Sequence, residues 1–182
     1  LCLSLHNGGS RIYFSDGSVA DIGPLVAASF SPEEASTYAA YVPSEADRTA
    51  LATAGRELFQ HFPPTPGACM VMSALYSVLL EKSVSQKAYV TIGSLYVGDV
   101  RVFGEDGEID GKRFSQSSPS WDGHAWVMLG DLIADASLFR TARSGKGHPV
   151  LGPHVQKEFG PTAALMICKA ADTELSGLRY EA

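Results

Sequence analysis

The stretch Pro66-Gly67-Ala68-Cys69-Met70-Val71-Met72-Ser73-Ala74-Leu75-Tyr76-Ser77-Val78-Leu79-Leu80 decides how the rest of the chain is read. A run of turn residues, Pro63-Pro64-Thr65-Pro66-Gly67, stops abruptly and an apolar helix follows. Met70, Val71, Ala74, Leu75, Val78 and Leu79 cover more than one helical face, and Met72, Tyr76 and Leu80 widen the stripe. A helix apolar most of the way round is expected in the centre of a domain. Cys69 falls in its first turn. Backbone N–H groups there have no partner within the helix, and the helix dipole is positive. Both effects favour thiolate over thiol, and the thiolate is the nucleophile.

Upstream, Ser31-Pro32-Glu33-Glu34 has the signature of a helix start, with Ser31 as N-cap, Pro32 in the first turn and acids behind it. This helix is expected to run to about Tyr41. Ser44 caps a second helix whose apolar positions Leu51, Ala54, Leu58 and Phe59 follow helical spacing as far as His61-Phe62. Before both, Arg11-Ile12-Tyr13-Phe14 and Val19-Ala20-Asp21-Ile22 read as strands joined by an Asp16-Gly17 turn.

Downstream the composition changes. Ala88–Gly93, Leu95–Val97 and Val100–Phe103 are rich in β-branched and aromatic residues. Gly104–Ser120 is polar and lacks periodicity, as does Arg140–His154, so both read as loops. Between them, His124-Ala125-Trp126-Val127-Met128-Leu129 and Leu132-Ile133-Ala134-Asp135-Ala136-Ser137 read as a hairpin across Gly130-Asp131. Ala163–Cys168 is a further strand, and Leu175–Tyr180 has the composition to pair at an edge. Helices first and hairpin-connected strands afterwards predict an α+β fold, with the N-terminal helices and the Cys69 helix packed on an antiparallel sheet. A single domain over residues 1–182 is expected, with its motifs between about 66 and 138.

The net charge of −6 and the absence of a lysine/arginine block argue against nucleic acid or an anionic membrane surface as partner. No apolar run has the length of a membrane span. The three cysteines, Cys2, Cys69 and Cys168, are far apart, which fits neither a disulfide framework nor a cysteine-rich zinc site. That usage points to a reducing, cytoplasmic setting. No P-loop, G-x-S-x-G or dinucleotide fingerprint is present, and no cofactor is expected.

Counting across the hairpin gives Cys69 its partners. With a two-residue turn Leu129 faces Leu132, so Trp126 faces Asp135 and His124 faces Ser137. Side chains alternate along a strand, so His124, Trp126 and Asp135 share one face, with His124 and Asp135 a diagonal pair. A nucleophile, a base and a group that orients the base are what nucleophilic catalysis needs. The expected sites are therefore Cys69, His124 and Asp135 as catalytic residues, and Trp121 and Trp126 as a substrate wall. The Cys69 N–H is the natural oxyanion donor at the helix start; Gln60 and Trp121 are side-chain candidates for a second.

Gly67-x-Cys69 opening a helix, then Gly123-His124-Ala125-Trp126-Val127, then Ile133-Ala134-Asp135-Ala136-Ser137, resembles the transglutaminase-like, papain-related cysteine enzyme superfamily. The resemblance implies a Cys69-His124-Asp135 triad, thioester chemistry on a peptide or protein amide, and a Cys-bearing helix on an antiparallel sheet. It spans roughly Pro66 to Leu138 and leaves hydrolysis, deamidation and transamidation all open. The His–Asp connection is shorter than that family's, and no clear calcium loop is present, which weighs against calcium-dependent cross-linking. Two other readings stay open: a binding or scaffold module that keeps the fold without the chemistry, and Cys69, His124 and Asp135 as zinc ligands. Neither oligomeric state nor substrate is legible.

Overall fold

The helices of the N-terminal half start where side chains can cap them. The computed structural model describes residues 3–4, 21–65, 67–104, 122–145 and 147–182. A two-residue strand, β1 (Leu3–Ser4), precedes α1 (Gly23–Ser29). Asp21 Oδ1 accepts the Gly23 N–H at 2.8 Å and Pro24 lies in the first turn of α1. The sequence reading assigned Asp21 and Ile22 to a strand and missed this helix; seven residues opened by Gly and Pro carry too little periodicity to register. The rest of the expected hairpin, residues 11–20, lies outside the described residues.

α2 (Pro32–Ala40) and α3 (Glu45–His61) begin as expected. Ser31 Oγ accepts the Glu34 N–H at 3.1 Å. Ser44 and Asp47 form a reciprocal capping box at the start of α3.

α4 (Cys69–Leu80) departs from its expected all-round burial. Met72, Ser73, Tyr76 and Leu80 are buried, but Val71, Leu75 and Val78 on the opposite side are exposed. The helix is covered by the sheet and by α3 and lies at the edge of the domain core, not in its centre.

The sheet comprises β2 (Tyr89–Val97), β3 (Val100–Phe103), β4 (His124–Leu129), β5 (Leu132–Asp135), β6 (Met166–Lys169) and β7 (Leu178–Glu181) together with β1. The strand order is β1-β6-β5-β4-β2-β3, and β7 also pairs with β2. All of these pairings are antiparallel. β2 is one strand, not two, with a register shift between Leu95 and Tyr96. Its first half pairs with β4, and its second half pairs with β3 and β7.

Alternate residues of β4 enter different cores. Val127 and Leu129 pack with Leu51 and Leu58 of α3 and Met72 and Tyr76 of α4. Trp126 and Met128 pack with Tyr180 of β7 and with Phe139 and Val155 of two short helices, α5 (Leu138–Arg143) and α6 (Leu151–Phe159). Buried on both faces, β4 reads as a continuous apolar run without alternation. The expected loop over 140–154 is corrected by α5 and α6. Gly152-Pro153 at the start of α6 reads as a turn, yet Pro is tolerated in a first turn, where N–H groups need no intrahelical partner. Glycine at 152 also allows close approach to α5, since a Cβ there would stand 3.0 Å from the Ala142 carbonyl oxygen. Among the described residues no helix is long and apolar enough to cross a membrane.

The β4–β5 turn is fixed from outside. Gly130 has φ of +55°, and a Cβ on it would lie 2.9 Å from Pro43 and 3.0 Å from the Tyr41 carbonyl oxygen. Its own carbonyl accepts the Tyr38 hydroxyl at 2.6 Å. Gly130→Ala should destabilise the fold by about 1–2 kcal/mol from the left-handed backbone alone, with the Pro43 contact adding to it. Urea unfolding of the two proteins measures this, and an unchanged midpoint would contradict the turn geometry.

Candidate functional site

The two-residue turn at Gly130-Asp131 sets the register of β4 on β5: Leu129 faces Leu132, Met128 faces Ile133 and Val127 faces Ala134. One further step puts Trp126 across from Asp135, with His124 on the same face. The imidazole and carboxylate meet, His124 Nε2 lying 2.5 Å from Asp135 Oδ2. Both side chains are buried, at 2% and 0% exposure.

The carboxylate has further partners. Oδ1 accepts the Ser137 N–H at 2.9 Å, the Ser137 hydroxyl at 3.1 Å and the Leu138 N–H at 2.9 Å. Leu138 opens α5, so Asp135 also ties the end of β5 to the next helix. Oδ2 accepts the Tyr180 hydroxyl at 2.9 Å in addition to His124.

Cys69 is the first residue of α4, after an N-cap, Ala68, that offers no side-chain bond to the helix start. Gly67 makes the preceding bend with φ of +73°. Cys69 shares a helical face with Ser73, Tyr76 and Leu80, all buried, and is itself half-buried. It lies near enough to His124 to favour the charged imidazole. His124 Nε2 is held by Asp135, which leaves Nδ1 as the ring's other polar atom.

α4 does not pack on the face of the sheet that carries His124 and Asp135. α4 packs with Val127 and Leu129, whereas His124 has the parity of Trp126 and Met128 in the other core. Cys69 and His124 are each the first residue of their element.

Burial works against the charged imidazole. The Asp135 carboxylate, its hydrogen bond and the Cys69 side chain outweigh it, and His124 is raised well above its ordinary pKa of 6.5. Burial likewise opposes ionisation of Asp135. The adjacent His124 and the N–H groups of Ser137 and Leu138 overcome this and lower the carboxyl below its ordinary 3.8. The carboxylate thus orients the ring from its Nε2 side and keeps it charged.

Aromatic rings enclose the imidazole. Phe103 of β3 stacks on it with centroids 5.5 Å apart, and Trp126 stands 6.2 Å away. Trp126 is completely buried, with its ring edge-on to Tyr180 at 5.0 Å, so it packs around the imidazole and offers no surface in this state. Trp121 lies outside the described residues. Gln60 is exposed on α3, and no side-chain bond links it to the site. Among the described residues no three His, Cys, Asp or Glu side chains are grouped for a metal, Cys69, His124 and Asp135 included. Cys168 is buried in β6. Sequence reasoning missed Tyr180, Phe103 and the Ser137 bonds. The alternation of Leu178 and Tyr180 could have placed Tyr180 on an inner face, but not against Asp135.

Stability should follow this pair. The raised His124 pKa contributes stability fully below pH 6.5, lost as pH rises through the folded value; the lowered Asp135 pKa contributes above pH 3.8, lost as pH falls through the folded value. Asp135→Asn should cost roughly 3–5 kcal/mol by leaving a buried cation without its partner. The difference from wild type should be largest between pH 3.8 and 6.5, as measured by urea unfolding across pH. Comparison of the chain with protein-family models, with curated proteins and with solved structures found no match.

Proposed function

We propose that this chain is a thiol-dependent acyl-transfer enzyme acting on a peptide or protein amide through a thioester. The observation that carries the reading is the buried His124–Asp135 pair, 2.5 Å apart, with a partly exposed Cys69 at the start of α4 among the groups that favour the charged imidazole. The Cys69 thiolate would attack the amide carbonyl carbon, forming a C–S bond and pushing the π pair onto oxygen. The Cys69 N–H lies where that oxyanion would form. Protonated His124 would deliver its Nδ1 proton to the leaving nitrogen as the C–N bond breaks, giving an amine or ammonia and a thioester. Water or an amine then attacks the thioester, His124 takes its proton, and the thiolate is released.

The order of elements supports a papain- or transglutaminase-like version of the α+β fold: a Cys-bearing helix, the His124-Ala125-Trp126-Val127 strand, then the Asp135 strand. Peptidase, amidase or deamidase, and transamidase activities all use these steps and differ in the leaving group and acceptor. A second reading, a binding or scaffold module with the same fold, draws on the closure of His124 and Asp135 from solvent.

Alkylation separates the two. At pH 6 an ordinary thiol of pKa about 8.5 is less than about 1% thiolate. Cys69 paired with an imidazolium should react with iodoacetamide at least about tenfold faster than a free thiol at that pH. Mass spectrometry should place the label on Cys69. The fast phase should vanish in Cys69→Ala and slow about tenfold or more in His124→Asn. A wild-type Cys69 no faster than free cysteine would leave the module reading.

A further inference from the structure

The C-terminal strand contributes a group to this site that the proposed chemistry leaves unassigned. Tyr180 stands opposite Leu95 in the β7–β2 pairing, and its side chain is buried. Its ring lies edge-on against Trp126 at 5.0 Å and 6.1 Å from the His124 ring. Its hydroxyl donates to Asp135 Oδ2 at 2.9 Å, the same oxygen that holds His124 Nε2 at 2.5 Å. The other oxygen is filled by Ser137 and Leu138.

We infer that Tyr180 is a positioning residue of this site: by sharing Asp135 Oδ2 with the imidazole, its hydroxyl aims the carboxylate and limits how tightly His124 holds its proton. The inference rests on the proposed reaction only for its functional meaning. An acceptor oxygen that already receives one hydrogen bond presents less negative charge to a second donor. Without the tyrosine hydroxyl, Asp135 would hold the imidazolium more strongly, and the ring would become a poorer acid toward a leaving amine. A hydroxyl that merely filled space would have no such directional effect.

Among the described residues, few titratable groups face the pair. They are Cys69 and Tyr76 from α4, with Tyr76 sensing the Asp135 charge, and Tyr180 from β7. Asp122, two residues before His124, is exposed. Phe103 and Trp126 contribute uncharged rings. Removing one hydroxyl donor therefore leaves the other charges in place.

The test is the NMR titration of the His124 ring in the intact protein, which needs no substrate. Tyr180→Phe keeps the ring and removes the donor, and the His124 titration should move up by about 0.5–1 pH unit. Wild-type protein made with 3-fluorotyrosine, whose hydroxyl is a stronger donor, should show a downward shift; this arm also serves if Tyr180→Phe does not fold. An unmoved His124, or shifts of the opposite sign, would overturn the inference. The alkylation rate of Cys69 is read on the same samples. The expected His124 shifts with an unreactive thiol would leave the role of Tyr180 standing and overturn the acyl-transfer reading, whereas a reactive thiol with an unmoved His124 would do the reverse.

Discussion

A fully buried carboxylate with donors on both oxygens is the constraint on which this molecule depends. A bare carboxylate inside a protein is costly unless each lone pair finds a partner. Asp135 finds them on the preceding strand, at the start of the following helix, and on β7. One side chain thereby ties β4, β5, α5 and β7 to a common point. Three of these elements follow one another in the chain, but Tyr180 of β7 is 45 residues away, so the last donor arrives only with the tertiary structure.

The same arrangement sets the charge state of the His124–Asp135 pair. Five donors keep Asp135 ionised, and the ionised carboxylate keeps the imidazole charged despite its burial. α4 packs on one face of β4, and the imidazole lies on the other.

Where local chemistry decides, the sequence was legible. Ser31 and Ser44 cap their helices because a hydroxyl two or three residues ahead of orphan N–H groups can bond to them in any context. Gly130-Asp131 makes a two-residue turn because only glycine enters φ of +55° cheaply. From that turn the pairing of His124 with Asp135 follows by counting. Legibility failed where packing chooses between equal local options. Gly152-Pro153 suits a turn or a helix start, and contact with α5 selects the helix. Val71, Leu75 and Val78 are as apolar as Met72 and Tyr76, and only the position of the sheet determines which set is covered.

The sequence by itself therefore determined the helix starts, the antiparallel hairpin, and the shared face of His124 and Asp135, because each follows from the backbone preferences of a few adjacent residues. The tertiary structure alone decided that α4 lies across the sheet from that pair, that Trp126 is enclosed, and that Tyr180 completes the carboxylate. Those outcomes depend on pairings between residues far apart in the chain, such as Tyr180 with Leu95 and Asp135 with Met166. No local pattern encodes such a pairing; it is selected by the burial of apolar surface and the satisfaction of polar groups in the whole fold.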